Sequence, residues 1–335
     1  RLSFVRRKML WIVIRQPNWI LFLSETIRWG RDQEMKILSS PVMILCMLIL
    51  FTVPAYADAS LHDSNIQFVD VLNQQIRIYE TGCGQPVLLI HGLPGCIEDW
   101  ESIMPELSKR FRVVAYDRPG HGFSSANNLK YNLDYNADIA FAIVDKLGLE
   151  NPVIVGHSYG GSITLAMAVR DVSTIKAFVS VSPVISIKGK PDLIFKILKI
   201  PLMGSALRLF IKLFGHNMVK KGMEVAFDPN QKDMPRDFIN KRCMIISLPH
   251  NVVTTAREEM AICPDLSNIT NHYDKINKPL FIVHGSSDRV VPVGDAISLH
   301  EKVPGSKLIL LKETGHMVQY AKPTELIKVI EEAAD

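Results

Sequence analysis

Short apolar runs and amphipathic stretches alternate along the chain from residue 66 onward. Two runs separated only by Leu72 and Asn73, IQFVDV and QQIRIYE, show the two-residue alternation of a half-exposed antiparallel hairpin. Six further runs are apolar throughout, which is typical of strands buried on both faces: PVLLI (86–90), FRVVAY (111–116), PVIVG (152–156), AFVSVS (177–182), LFIVHG (280–285) and KLILLK (307–312). Helical periodicity lies between most of these runs, at about 97–109, 134–147, 159–170, 293–302 and 323–334.

Strands that alternate with helices predict an α/β fold, with a mostly parallel central sheet and helices on both faces. One interval interrupts this alternation, because residues 183–279 are far too many for a simple crossover connection. The interval has helical periodicity broken by several Pro and Gly residues. We therefore expect a helical cap at 186–274, inserted into a core made of residues 58–185 and 275–335.

The N-terminal segment has the composition of a targeting sequence. Met35-Lys36 precedes a long apolar run that ends in Ala55-Tyr56-Ala57. A basic start, an apolar middle and small residues at the end predict a signal peptide at about 35–57, cleaved before Asp58, and hence a secreted or periplasmic protein. The run is also long enough to span a bilayer, so an uncleaved N-terminal membrane anchor is the alternative. Residues 1–34 are read as upstream sequence, and whether they are translated in the native protein is left open.

Charge argues against a nucleic-acid partner. The formal net charge is +4, but residues 1–57 hold eight Lys or Arg against three Asp or Glu, which leaves residues 58–335 at −1. Residues 188–221 are an exception, with eight Lys or Arg against Asp192 alone, interleaved with apolar residues. An ordinary amphipathic cap with solvated lysines is the favoured interpretation. Weak contact with an anionic membrane surface is the alternative.

Four polar motifs follow predicted strands directly. HGLPG follows PVLLI, GHSYGG follows PVIV, HGSSDRVVP follows LFIV, and ETGHM follows KLILL. A G-x-S-x-G pattern arises by chance in roughly one chain in ten of this length, so the serine motif alone is weak. The carboxyl ends of parallel strands meet at one edge of a sheet, however, and loops that carry catalysis gather there. The set of four, in this order, indicates one shared site.

With these motifs the sequence resembles the α/β-hydrolase family over residues 66 to 334. In that family the nucleophile, the acid and the histidine follow one another along the chain, and here Ser158, Asp288 and His316 match that order. A serine hydroxyl needs a base to accept its proton, and an imidazole is suited to that task. Asp288 is then expected to orient the imidazole of His316 and to stabilise its protonated form.

The resemblance also implies two backbone donors for the oxyanion of a tetrahedral intermediate. One is the N–H of Tyr159, the residue after the nucleophile. The other comes from the HGLPG loop, where Leu93 is the natural donor because Pro94 has no N–H.

The identity of the nucleophile narrows the reaction. HGLPGCIEDW resembles the corresponding loop of epoxide hydrolases and haloalkane dehalogenases, but those enzymes place an aspartate at the elbow, whereas this chain has Ser158 followed by Tyr159. We therefore expect a serine hydrolase that cleaves a small, largely apolar carboxylic ester, lactone or thioester without metal or cofactor. Two alternatives remain: a carbon–carbon bond hydrolase of the meta-cleavage-product type, and a non-catalytic ligand receptor on the same fold.

Cysteine usage is the last constraint. Four of the five cysteines, Cys83, Cys96, Cys243 and Cys263, follow the predicted cleavage site, and an oxidising compartment would permit disulfides among them. Cys83 and Cys96 flank one predicted strand and should lie too far apart to bridge. Cys243 with Cys263 is the favoured pair, although the sequence does not decide whether it forms. No zinc-binding spacing such as C-x-x-C or H-E-x-x-H occurs, and the oligomeric state is not readable.

Overall fold

Eight strands form one sheet in the computed structural model, which describes residues 63–170, 172–186, 217, 219–246 and 248–335. The strands are β1 (Ile66–Val71), β2 (Gln74–Thr81), β3 (Gln85–Ile90), β4 (Phe111–Tyr116), β5 (Val153–His157), β6 (Ala177–Val181), β7 (Leu280–Gly285) and β8 (Lys307–Leu311). Their order across the sheet is β1-β2-β4-β3-β5-β6-β7-β8. The pairs β1–β2 and β2–β4 are antiparallel and every later pair is parallel. The predicted α/β class and the mostly parallel sheet are confirmed.

The hairpin at the sheet edge follows from its two turn residues. Leu72 and Asn73 both have positive φ, 46° and 63°, as a two-residue turn between right-twisted strands requires. The turn sets the register that pairs Val71 with Gln74 and Ile66 with Tyr79. The alternating pattern in the sequence had predicted this hairpin.

Helices occupy the predicted intervals, and their bounds differ only slightly from the prediction. They are α1 (Met104–Leu107), α2 (Leu133–Lys146), α3 (Tyr159–Ala168), α4 (Phe238–Ile246), α5 (Pro249–Thr270), α6 (Val293–Lys302), α7 (Val318–Ala321) and α8 (Pro323–Ala334), with 3₁₀ turns at Ile97–Trp100, Gln231–Asp233 and Tyr273–Lys275. The helix expected at 97–109 is instead a 3₁₀ turn followed by α1. Pro105 explains the break, because it lacks the N–H that a continuous helix would use there.

Two apolar cores cover the two faces of the sheet. On one face, α2, α3 and α6 contribute buried residues such as Ile143, Ile163 and Leu299. On the other, the 3₁₀ turn, α1 and α8 contribute Trp100, Leu107 and the buried stripe of α8 at Leu326, Val329, Ile330 and Ala333. This spacing is the apolar face of an amphipathic helix. The prediction of helices on both faces is confirmed.

The interval between β6 and β7 is helical where it is described. It contains helical residues 219–227, α4 and α5. The long helix α5 buries Ile262, Leu266 and Ile269 in the same core as the sheet, so at least this helix is packed firmly on the body of the protein. The boundaries of a cap at 186–274 stay a prediction, and most of the basic stretch at 188–221 lies outside the described residues.

The favoured disulfide between Cys243 and Cys263 is wrong, because neither cysteine takes part in a disulfide in the structure. Cys243 lies on α4, and Cys263 lies fourteen residues after α5 begins, which at 1.5 Å per residue is about 21 Å along that helix. Disulfide-bonded residues have Cα atoms less than about 7 Å apart. Cys83 and Cys96 are also outside any disulfide, and the prediction that these two do not bridge each other agrees with this.

The predicted signal peptide at 35–57 and the upstream residues 1–34 lie outside the described part of the chain. Within residues 63–335, as far as they are described, no helix is both long and apolar enough to cross a membrane.

Candidate active site

The strand order brings two of the predicted loops together. Strand β3 lies between β4 and β5, so the chain adds β4 on one side of β3 and β5 on the other. The loops that follow β3 and β5 leave in opposite directions from this point and form a crevice at the carboxyl ends of the strands. The loop after β3 carries Leu93, and the turn after β5 carries Ser158. The two loops are in close contact, since a Cβ placed on Gly92 would lie 3.1 Å from the Cβ of Ser158.

Ser158 occupies a strained turn between β5 and α3. Its φ of 56° and ψ of −118° are unfavourable for a residue with a side chain. The turn is held by the Ser158 N–H, which donates to the Val181 carbonyl at 2.8 Å. Gly156 and Gly160 make the sharp turn feasible, because a Cβ on Gly156 would collide with the carbonyl of Gly160, and a Cβ on Gly160 with the carbonyl of Ile90. This geometry presents the serine at the edge of the sheet.

Asp288 and His316, which follow β7 and β8, are hydrogen-bonded to each other. The Nδ1 of His316 lies 2.7 Å from Oδ2 of Asp288. The other carboxylate oxygen accepts the backbone N–H groups of Val290 and Val291 at 2.8 and 2.9 Å. Burial by itself would raise the pKa of Asp288, but the hydrogen bond and charge of His316, with the N–H of Val291, hold it below its usual value. Asp288 is therefore an ionised acceptor at neutral pH.

His157 connects the serine turn to His316. Its Nε2 donates to the carbonyl oxygen of His316 at 2.9 Å, and the two imidazole rings are 4.7 Å apart between centroids. Burial, reinforced by the neighbouring His316, lowers the pKa of His157 to about 3, so this ring is neutral. The structure thus joins Asp288 to His316 directly, and the side chain of His157, the residue before Ser158, contacts His316.

His284 is a polar contact of the acid that the sequence reasoning did not single out. This buried ring lies on the last but one residue of β7, and its Nε2 is 3.1 Å from the Val291 carbonyl oxygen and 3.4 Å from Oδ2 of Asp288. Burial lowers its pKa, so the ring is neutral and offers one N–H to these two oxygens. Its position four residues before Asp288, at the end of an apolar run, is the signal that could have identified it.

The two predicted oxyanion donors line the same cavity as the serine. Tyr159 is the first residue of α3, where backbone N–H groups have no acceptor within the helix. Neither its N–H nor that of Leu93 donates to another described residue. Leu93, Ser158 and Tyr159 all lie on the cavity wall.

This cavity has a volume of about 350 Å³. Besides the three residues above, its described lining is mostly apolar and consists of Val184, Ser186, Glu259, Ile262, Val290, Val291 and Pro292. The polar side chains of this lining are few, namely Ser186 and Glu259 besides Ser158 and Tyr159. A mostly apolar wall with a few polar groups is the usual composition of a small-molecule site. Among the described residues, no three His, Cys, Asp or Glu side chains are grouped as metal ligands.

A serine on a strained strand–helix turn, a histidine bonded to a carboxylate and a mostly parallel sheet together define an α/β hydrolase. The chain belongs to the α/β-hydrolase fold family, because the sequence model of that fold matches residues 85–323.

Known proteins similar to this chain include a 2-hydroxymuconate semialdehyde hydrolase of Pseudomonas sp. strain CF600, 27% identical over 258 residues that cover 72% of this chain and 84% of that enzyme. The solved structure of an esterase from Exiguobacterium antarcticum superimposes with a TM-score of 0.66 at 21% identity, covering 80% of this chain and 98% of the esterase. That of a membrane phospholipase A gives 0.66 at 20% identity, covering 87% and 94%. The two structures establish the shared fold.

Proposed function

We propose that this hydrolase cleaves a small, largely apolar carboxylic ester, lactone or thioester through an acyl-enzyme on Ser158. His316 takes the proton of the serine as it attacks and returns a proton to the leaving alcohol or thiol. Asp288 holds the imidazole with its proton on Nδ1, which leaves Nε2 available as the base. The N–H groups of Leu93 and Tyr159 bind the oxyanion.

The main observation in support of this proposal is the strained backbone conformation of Ser158. A strained turn is retained where the surrounding structure enforces it, and such turns concentrate at functional sites. Here Val181, Gly156 and Gly160 enforce it on the wall of a cavity, beside two backbone N–H groups that donate to no described residue. A serine in an ordinary glycine-rich connection would need none of these features.

The cavity supports the choice of substrate. Its volume of about 350 Å³ is at the lower end of the range for small-molecule sites, and its wall is mainly aliphatic. A short or medium acyl group fits this environment better than a sugar or a phosphate, which would leave polar groups without partners.

A panel of p-nitrophenyl and thiol esters of graded acyl length, assayed with the wild type and with Ser158→Ala, tests the proposal. We expect turnover that passes through a maximum at short or medium acyl length and that Ser158→Ala abolishes. Ser102→Ala is a matched control, because Ser102 donates instead to the backbone of Gln319. Ester turnover that persists in Ser158→Ala would refute the role of this serine.

Hydrolysis of a carbon–carbon bond in a vinylogous diketone is the second candidate. It is favoured by the 27% identity to an enzyme named 2-hydroxymuconate semialdehyde hydrolase. The same three side chains would serve both reactions, so kinetics must separate them. Rapid cleavage of a meta-cleavage product with negligible turnover of p-nitrophenyl esters would select this candidate.

A non-catalytic ligand receptor is the alternative from another class. Tight ligand binding, with no turnover that depends on Ser158, would support a receptor. The pair Asp288–His316 argues against it, because binding alone does not require an oriented base.

We further propose export from the cytoplasm, based on the apolar run that ends at Ala57. N-terminal sequencing of the protein recovered from its host should begin at Asp58. A mature chain that retains residues 35–57 would indicate an anchor instead.

A further inference from the structure

The carbonyl oxygen of Gly92 accepts hydrogen bonds from two buried side chains. Nη2 of Arg118 donates to it at 3.0 Å, and Nδ1 of His91 lies 2.9 Å from it. His91 has its proton on Nδ1, because its Nε2 accepts the backbone N–H of Arg118 at 2.9 Å and burial lowers its pKa well below the usual value. Both contacts on Gly92 are therefore made by donors.

These two donors fix the direction of the Leu93 N–H. The Gly92 carbonyl and the Leu93 N–H belong to one planar peptide, and in a trans peptide they point to opposite sides. Whatever holds the carbonyl also aims the N–H. A cationic donor on the carbonyl further polarises the peptide and makes its N–H a stronger donor.

The guanidinium of Arg118 is itself fixed by a carboxylate from α5. Its Nη1 donates to Oε1 of Glu258 at 2.7 Å and to Oδ1 of Asn136 at 3.1 Å, and the side chains of Arg118 and Glu258 are 0% and 2% exposed. Burial would raise the pKa of Glu258, but Arg118 and His121 outweigh it and lower that pKa to about 2. Glu258 is thus an ionised carboxylate, and both side chains are removed from water.

Arg118 also touches the second proposed oxyanion donor. Its guanidinium carbon lies 4.7 Å from the centroid of the Tyr159 ring. One side chain therefore contacts both the carbonyl of the peptide that carries the Leu93 N–H and the ring of Tyr159. Its partner Glu258 belongs to the segment between β6 and β7, next to Glu259 on the cavity wall.

We propose that Arg118, held by Glu258, is a positioning residue that aims and polarises the Leu93 N–H toward the oxyanion. The inference rests on the proposed function, since it assigns no reaction of its own. It predicts that disturbing the Arg118–Glu258 pair weakens binding of the transition state and leaves binding of the substrate almost unchanged. If the pair only stabilised the fold, disturbing it would lower the stability of the protein and would weaken binding of the substrate and of the transition state together.

Two variants of the full chain test this inference. In Arg118→Lys, a single ammonium group replaces the planar guanidinium and cannot donate to Glu258 and to the Gly92 carbonyl in the same geometry. Glu258→Gln keeps the size of the side chain but removes its negative charge. We expect kcat for the best ester to fall about 10- to 100-fold in Arg118→Lys, less than the loss of an entire oxyanion donor, with KM nearly unchanged. The Kd of a trifluoromethyl ketone with the same acyl chain, which forms a tetrahedral oxyanion, should rise by the same factor.

Arg77→Lys is the matched control, because Arg77 is an equally buried arginine paired with Asp117 and Glu98. It should keep both kcat and the inhibitor Kd. If Arg118→Lys does not fold, Glu258→Gln provides the same comparison. Inhibitor affinity that stays at the wild-type value, a rise in KM that accounts for the loss, or an equal effect of Arg77→Lys would overturn the inference. Absence of ester turnover in the wild type would instead refute the proposed function.

Discussion

The Nδ1 of His316 donates to Oδ2 of Asp288 over 2.7 Å, while Oδ1 of the same carboxylate accepts the N–H groups of Val290 and Val291. The carboxylate is therefore oriented by the backbone, and it in turn fixes the tautomer of the imidazole. Because the carboxylate only accepts, the neutral imidazole of His316 carries its proton on Nδ1, and its Nε2 lone pair is the one available to a general base.

Asp288→Asn should lower kcat by about three to four orders of magnitude, because an amide can favour the wrong tautomer of His316. KM should change little, since Asp288 is not expected to touch substrate. Steady-state kinetics on the best ester of the panel measure this. Asp138→Asn, which alters an exposed carboxylate paired with Arg170, should keep full activity. Equal activity of Asp288→Asn and the wild type would exclude Asp288 as the orienting acid.

Stability should fall as the pH is lowered from about 7 to 5. Burial lowers the pKa of His121 to about 4 and that of His157 to about 3, so the folded protein keeps both rings neutral at pH 5. The unfolded chain binds protons below the ordinary histidine pKa of about 6.5, and it therefore gains relative stability over this range. Each such histidine should contribute a loss of about 2 kcal/mol between pH 6.5 and 5.

Urea unfolding at pH 7 and at pH 5, in the wild type and in His157→Gln, measures this loss. The variant should lose less stability between the two pH values than the wild type does. Identical losses in the two proteins would show that His157 titrates normally when folded.

Gly160→Ala should destabilise the protein by about 1–3 kcal/mol, because the new methyl group would meet the backbone carbonyls of Ile90 and His91. Activity should fall as well, since those carbonyls belong to the strand and loop that lead to Leu93. Gly294→Ala is the matched control. A Cβ there meets nothing within 4 Å, so the same change in α6 should be neutral or slightly stabilising. Thermal unfolding of both variants decides the matter, and similar midpoints would contradict the close approach at Gly160.

Ser158→Gly should be more stable than Ser158→Ala by roughly 1 kcal/mol, although both should be inactive. Glycine adopts the φ of 56° at this position without strain, whereas alanine keeps the penalty of its Cβ. Guanidinium chloride unfolding of the two variants provides the comparison. Equal stabilities would mean that the turn stores no strain.

The strands and most helices could be predicted from the sequence because their signals are local. An apolar run such as LFIVHG is typical of a strand that is buried on both faces. Only Leu72 and Asn73 separate the first two strands, and a two-residue connection between strands is a tight turn. The sequence predicts one helix at 97–109, whereas the structure has a 3₁₀ turn and then α1, with Pro105 in the first turn of α1. The apolar periodicity continues across Pro105, so it does not show where the second helix begins. The disulfide prediction failed because chain spacing does not reveal that Cys263 lies far along α5.

Candidate residues of the site could be named from sequence where they follow strands, as Ser158, Asp288 and His316 do. The supporting contacts could not. Arg118 and Glu258 are 140 residues apart, and the DRPGHG segment (117–122) that carries Arg118 has only the composition of a turn. No local sequence pattern indicates that helix α5, between β6 and β7, packs so that the carboxylate of Glu258 contacts Arg118. The contact between His157 and His316 likewise could not be predicted, because it forms only when the sheet places the loop after β8 beside the end of β5.

The central claim is a covalent acyl-enzyme at Ser158, and rapid quenching followed by peptide mass spectrometry tests it most directly. The protein is mixed with its best ester, quenched in acid within the burst phase and digested. We predict that the peptide containing Ser158 carries the mass of the acyl group, and that Ser158→Ala carries none and shows no burst. An acyl group found on another residue, or turnover without any acylated peptide in a preparation with a clear burst, would contradict the account.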